Sequence, residues 1–263
     1  MNTLAMQHSS DRHGVDNALP NMESVLRTLL TGQAVAATSL LGALGSRFSQ
    51  SPSGNANRVT QLLGDLGCGF AGLELDIDGT ENLRQSGSVI YVFNHQSLLD
   101  AMILARLLRR DVVPFCKQEM ASKPILGALL AQAGTIFVDR GAQDQSAVLQ
   151  AAQSVLSSGR SLVIAPEGTR SASGRLQPFR HGAFLLAKKA RVPIVPIILH
   201  NVHDALPKGS LLLRPATVRV SVLPPMAYDA ERNVRGLCHQ VENRFRRCLG
   251  QPLLERLASG SEA

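Results

Sequence analysis

Asn94-His95-Gln96-Ser97-Leu98-Leu99-Asp100 is the segment of this chain richest in reactive groups. It follows the aliphatic run Ser88-Val89-Ile90-Tyr91-Val92-Phe93, so His95 falls in the loop leaving a predicted strand and Asp100 in the first turn of a predicted helix. That spacing lets the carboxylate fold back to the imidazole, orienting the ring and raising its basicity. A histidine held this way can take the proton from an alcohol attacking a thioester, a reaction that needs neither a metal nor a nucleophile on the protein. Ser97-x-x-Asp100 ahead of an apolar run also fits a capping box, with Ser97 as N-cap and Asp100 at N3, which implies no chemistry.

A second group is Pro166-Glu167-Gly168-Thr169-Arg170, which places a carboxylate, flexible backbone amides, a hydroxyl and a guanidinium within a few residues. Arg140, after the run Thr135-Ile136-Phe137-Val138, adds another guanidinium. Two arginines and exposed amides make a phosphate cradle. Taken singly, each fragment reads equally as a turn and a surface charge.

The elements that must bring these groups together are strands at 88–93, 112–116, 135–138, 161–165, 194–199 and 217–222, with helices between them at 98–109, 143–157 and 229–249. Short aliphatic runs alternating with helical stretches specify βα units and a largely parallel sheet. Polar clusters follow four of these runs: Asn94 to Ser97, Lys117-Gln118-Glu119, Asp139-Arg140 and Pro166 to Arg170. Parallel strands aim such clusters at one rim, where open α/β sheets bind ligands. The C-terminal helix carries Val234, Leu237, Val241, Phe245 and Leu249 on one stripe, leaving Arg235, Arg244, Arg246 and Arg247 for solvent.

With 263 residues, the chain has length for one well-buried domain. The expected class is α/β: a single domain with a mostly parallel central sheet flanked by helices, plus an N-terminal membrane-associating helical segment. Its divisions are a polar tail over 1–22, the helical segment and a linker over 23–56, the main domain over 57–250 and a tail over 251–263. From Thr28 to Ser46 no residue is charged, while Leu26, Leu29, Leu30, Leu40, Leu41 and Leu44 recur at helical spacing. Thr28, Thr31, Gln33, Thr38 and Ser39 dilute this segment below a convincing spanning helix. It reads as an interfacial helix or as one packed on the protein's own core.

A net charge of +7 and a pI near 9.7 favour an anionic partner. The 27 basic residues are scattered and aromatics are few, which argues against nucleic acid. Cys68, Cys116, Cys238 and Cys248 have no zinc-like spacing, and no signal peptide opens the chain, so a reduced, cytoplasmic setting without a metal is expected. Cys116 ends the run Val112-Val113-Pro114-Phe115 and reads as a small hydrophobe rather than a nucleophile. His8, His13, His200 and His203 read as surface or packing residues, His239 as part of the last helix, and His181 as a rim or helix-start residue.

Asn94 to Asp100 resembles the NHxSxxD block of the 1-acylglycerol-3-phosphate acyltransferase family. Gly134-Thr135-Ile136-Phe137-Val138-Asp139-Arg140, Pro166-Glu167-Gly168-Thr169-Arg170-Ser171 and Val192-Pro193-Ile194-Val195-Pro196-Ile197 resemble its second, third and fourth blocks, in the same order. The resemblance covers roughly residues 70–225. It implies that His95 is the general base, Asp100 its orienting partner, and Arg140, Glu167, Gly168, Thr169 and Arg170 the site for the acceptor's glycerol phosphate. It also implies a lysophospholipid acceptor and an acyl thioester donor, acyl-CoA or acyl carrier protein, at a membrane surface on the cytoplasmic face, with no cofactor. Ala165 departs from the bulkier residue many members carry before Pro-Glu-Gly.

Other readings compete. Asp76-Ile77-Asp78-Gly79-Thr80 fits the nucleophile motif of haloacid-dehalogenase-type phosphatases, yet no later acidic pair follows and the segment also reads as a strand entering a turn. A catalytically silent membrane-binding module has no specific support, and a serine hydrolase lacks the G-x-S-x-G elbow.

Overall fold

The structure, a computed structural model, describes residues 21–139, 141, 145–171, 174–206, 209–228 and 233–254. Arg140, His8 and His13 therefore lie outside the described residues, as do the first residues expected in helices 143–157 and 229–249.

Among the described residues seven strands build one sheet: β1 (Leu73–Asp78), β2 (Ile90–Phe93), β3 (Val112–Lys117), β4 (Ile136–Val138), β5 (Ser161–Ile164), β6 (Ile194–Leu199) and β7 (Ala216–Val222). Their spatial order is β1-β7-β6-β2-β5-β3-β4. The five strands from β6 to β4 are mutually parallel. β7 pairs antiparallel with β6, and β1 follows β7 in parallel, so these two run the other way. Every residue of β2, β5 and β6 is buried, which is why these segments read as continuous apolar runs rather than alternating ones.

β1 settles the phosphatase motif. Asp76 and Asp78 alternate with Leu75 and Ile77, the acids exposed on an edge strand and the aliphatics turned to the core. Because β1 runs against β2 and β5, its carboxyl end lies at the opposite end of the sheet from the clusters after those strands. The Asp76 to Thr80 segment is a structural edge with Gly79 in the left-handed region, φ 79°.

Helices cover both faces. α5 (Ser146–Ser157), α6 (Gly182–Ala190) and α8 (Val234–Cys248) bury one cluster with Ile90, Val92, Leu162 and Ile194. α2 (Pro52–Ala71), α3 (Asp100–Leu107) and α7 (Val202–Ala205) bury the other with Tyr91, Phe93, Val195 and Ile197. α2 was not anticipated as a helix, and the linker expected within 23–56 is only Ser49-Gln50-Ser51: Ser51 caps α2 by accepting from the Gly54 amide, with Pro52 at the first helical position. α2 lies close enough to α3 that a Cβ on Gly64 would strike the Arg106 backbone. That close approach seats α3, and with it Asp100.

The N-terminal helix α1 (Met22–Phe48) packs on α2 and on α4 (Pro124–Gln132) with an unexpected face. Its buried residues are Ser24, Thr31, Ala34, Thr38, Ser39 and Gly42. The leucines point away: Leu26, Leu29, Leu40, Leu41 and Leu44 are 48–62 % exposed. Packing on the protein's own core is thus made by the small and hydroxylic side, and the leucine stripe is left uncovered. Among the described residues α1 is the one helix long and apolar enough to cross a membrane, with an 18-residue window of mean hydropathy 1.3 that is 28 % buried.

Candidate active site

β2 and β5 are neighbours in the sheet, so the loops leaving them meet. They are joined in both directions: the His95 amide donates to Glu167 Oε1 at 2.7 Å, and the Ser171 amide donates to the His95 carbonyl at 2.9 Å. β6 flanks β2 on the other side, where Asn94 exchanges two hydrogen bonds with the backbone of Leu199, at 2.7 and 2.8 Å. Gln96 donates to the same carbonyl and accepts from the Val202 amide. Asn94 and Gln96 thus bracket His95 and fasten its loop to the end of β6. Sequence reasoning gave them no role, because their partners lie more than a hundred residues away.

Asp100 is buried, and its Oδ2 collects three donors: His95 Nδ1 at 2.6 Å, the Gln96 amide at 2.7 Å and the Ser97 amide at 3.0 Å. The capping and catalytic readings of this segment therefore coincide in one oxygen, which reaches back over the start of α3 and holds the imidazole at the same time. Ser97 completes the box loosely, its hydroxyl accepting from the Leu99 amide at 3.4 Å while Asp100 accepts from the Ser97 amide. Its hydroxyl donates to the Leu206 carbonyl at 3.2 Å, and α3 begins at Asp100. With Nδ1 turned to a carboxylate, Nε2 is the ring nitrogen left to accept a proton. The His95 side chain is 29 % exposed, so substrate can reach it. Phe93 packs edge-on against the ring, centroids 5.8 Å apart.

Glu167 corrects an expectation. It is buried, with Oε1 taken by the His95 amide and Oε2 by the Gln177 amide at 2.7 Å, so its carboxylate faces backbone rather than an acceptor phosphate. Gly168 turns the chain directly after it with φ 74°, a conformation that favours glycine. Thr169 is exposed and Arg170 half-buried, and both remain on the rim beside His95 through the Ser171 bond. The β3 and β4 clusters end one and two strands beyond β5, on the same rim. Arg140 itself lies outside the described residues, so the second guanidinium of the cradle has no described position. Cys116 is half-buried within β3, where it was expected to be buried. Among the described residues no cluster of three or more His, Cys, Asp or Glu side chains is arranged to hold a metal ion.

Burial pushes the Glu167 carboxyl up from 4.5 to about 7, against the two amides that favour its charged form and with help from the negative charges of Asp100 and Glu242. A folded-state value above the unfolded one means that the native protein retains a proton which the unfolded chain releases. The associated stability is full below about pH 4.5 and is lost as pH rises through about 7. Denaturant titrations of wild type and Glu167→Gln across that window are expected to diverge by on the order of 3 kcal/mol, wild type losing stability relative to the variant as pH rises. Parallel pH dependences would show that Glu167 ionises normally.

The family model described as Acyltransferase matches residues 74–200. The chain is 35 % identical over 175 residues to a protein of Limnanthes alba named 1-acyl-sn-glycerol-3-phosphate acyltransferase, a match covering 66 % of this chain and 62 % of the relative. It is 34 % identical over 157 residues to the human 1-acyl-sn-glycerol-3-phosphate acyltransferase alpha, covering 59 % and 56 %. The chain thus spans less than two thirds of the length of these relatives. Its fold is similar to the crystal structure of the 1-acyl-sn-glycerophosphate acyltransferase PlsC from Thermotoga maritima, with a TM-score of 0.72 at 20 % identity, over 86 % of this chain and 96 % of that one. Residues 74–200, which hold the His95–Asp100 pair and the Glu167 loop, are thus the part of the chain that is similar to the acyltransferase family.

Proposed function

We propose that this protein transfers a fatty acyl group from acyl-CoA or acyl carrier protein to the free hydroxyl of 1-acylglycerol-3-phosphate, giving phosphatidic acid. The observation that carries the reading is the 2.6 Å contact between His95 Nδ1 and Asp100 Oδ2, which leaves Nε2 free on a rim shared with Thr169 and Arg170. His95 Nε2 takes the proton from the acceptor hydroxyl as its oxygen attacks the thioester carbonyl. The carbon–sulfur bond then breaks, the thiol leaves with a proton, and no covalent enzyme intermediate forms. Arg170, with Arg140, Gly168 and Thr169, binds the acceptor phosphate, and Glu167 holds the His95 loop beneath it. The names of the Limnanthes alba and human relatives support the acceptor.

The protein works on the cytoplasmic face of a membrane, with the exposed leucines of α1 in the leaflet. On α1 the Thr28 Oγ1 accepts from the Leu213 amide at 2.9 Å, and beside the site the Leu206 carbonyl accepts from the Ser97 hydroxyl at 3.2 Å.

Purified protein incubated with lysophosphatidic acid and long-chain acyl-CoA or acyl carrier protein is expected to yield phosphatidic acid by mass spectrometry. Folded protein that acylates only other lysolipids would move the acceptor assignment while leaving acyl transfer in place. Inertness with every acceptor and donor would refute it.

A further inference from the structure

Behind Glu167 stands a second buried carboxylate. Glu242 of α8 is 4 % exposed, and its Oε2 accepts from the Phe179 amide at 3.0 Å. Arg246, expected to face solvent, turns inward and donates to Glu242 Oε1 from Nε at 3.1 Å and from Nη2 at 2.7 Å. Glu242 and Glu167 therefore grip the same short strap two residues apart, Glu167 at the Gln177 amide and Glu242 at the Phe179 amide. The strap is fixed at two further points: the Leu176 amide donates to Gln251 Oε1, and the Arg180 amide to the Pro166 carbonyl. Phe179 is held between Phe184, with centroids 6.3 Å apart, and Phe245 of α8 at 5.1 Å. A continuous chain of bonds thus runs from Arg246 through Glu242, the strap and Glu167 to the His95 amide.

We propose that Glu242 is a positioning residue for the transfer reaction: by anchoring the 176–180 strap it fixes Glu167, and through Glu167 the height of the His95 loop over the rim. This rests on the acyl-transfer reading. A buried glutamate on a helix that is otherwise basic is expensive to keep unless its charge is used. Its partners show that use, because an apolar residue would leave both the Phe179 amide and the Arg246 guanidinium unpaired, and a neutral amide would leave the guanidinium without a counter-charge. The charged groups that act on the Glu167 carboxyl are Asp100 from the β2–α3 turn and Glu242 from α8, with Arg246 bonded to Glu242 on the side of α8. Around Glu242 stand Cys238, His239 and Arg235 of α8, and His181 from the start of α6. Removing the negative charge of Glu242 makes ionisation of Glu167 easier, and ionised Glu167 is the form that accepts both amides.

The test uses Glu242→Ala and Glu242→Gln in the full chain, with lysophosphatidic acid and acyl-CoA as substrates. Glu242→Ala is expected to lower kcat about tenfold with the KM values of both substrates unchanged. Glu242→Gln, which can still accept from Phe179, is expected to keep most of kcat but to move the acid limb of the kcat profile to lower pH. Hydrogen exchange read on peptides over 93–98 and 174–181 supplies a signal independent of turnover: Glu242→Ala should lose protection in both, at least tenfold. Loss confined to 174–181, or a Glu242→Gln profile superimposable on wild type, overturns the proposal. If Glu242→Ala fails to fold, the glutamine variant decides by the same two readings. Wild type inactive in the assay but coupled in exchange would count against the acyl-transfer reading and not against the anchoring.

Discussion

His95→Ala is expected to lower kcat by about 10²–10⁴-fold while leaving the melting temperature within about a degree of wild type. The chemical part follows from the proton: without Nε2 the acceptor hydroxyl must attack with its proton still bound. The stability part follows from the bonding pattern. The loop is held by main-chain groups, the His95 amide on Glu167 and the His95 carbonyl under the Ser171 amide, and by Asn94 and Gln96 on β6. None of these bonds uses the imidazole. Losing the ring also frees one donor from Asp100 Oδ2, which keeps the amides of Gln96 and Ser97. Turnover within a few-fold of wild type would remove His95 from the mechanism, and a large fall in melting temperature would mean that the ring is structural.

Asp100→Asn should behave differently, and the contrast between the two variants is what separates orientation from capping. An amide in place of the carboxylate weakens three charge-assisted bonds at once and can present its NH2 group to the ring, favouring the wrong tautomer. The expected kcat loss is again about 10²–10⁴-fold. Here stability falls as well, by about 1–3 kcal/mol, because two of the three donors are backbone amides of the turn leading into α3. At about 2–4 °C per kcal/mol for a chain of this size, the drop is readable by calorimetry. Full activity in a destabilised Asp100→Asn protein would leave Asp100 as a cap alone.

The parallel strands were legible because their information is local. Buried strands of a parallel sheet are continuous aliphatic runs, and β6 was placed at its observed limits, Ile194–Leu199, with the other five expected strands correct to within a residue or two, whereas β1, an exposed edge, was read only as an alternative to the phosphatase motif. The convergence of the β2 and β5 clusters followed from topology. What escaped detection depends on distance or on weak helix formers. α2 carries glycines at positions 54, 64, 67 and 69, and these hide its period while permitting the close approach to α3. α4 opens on Pro124 and is nearly all aliphatic, so no amphipathic stripe marks it. The roles of Asn94, Gln96 and Glu242 exist only once Leu199, Val202 and Phe179 have been brought to them. Glu167 was drawn to the phosphate by its neighbours in sequence, whereas its environment in space is two amides and two other carboxylates.

The outward leucines of α1 govern how the molecule behaves as a material in water. Fully burying an exposed leucine is worth roughly 1.5–3 kcal/mol, and because these five are about half exposed, covering the stripe is worth on the order of half that for each of them. Away from a bilayer this stripe is expected to gather detergent or a second copy of itself, so that aggregation would follow from the intact fold and not from misfolding. Trimming the helix away would not cure it. The trim uncovers Val59 and Gln132 beneath Gly42, strips the Asn55 side chain of its carbonyl partner at Gly42, and leaves the Leu213 amide without Thr28.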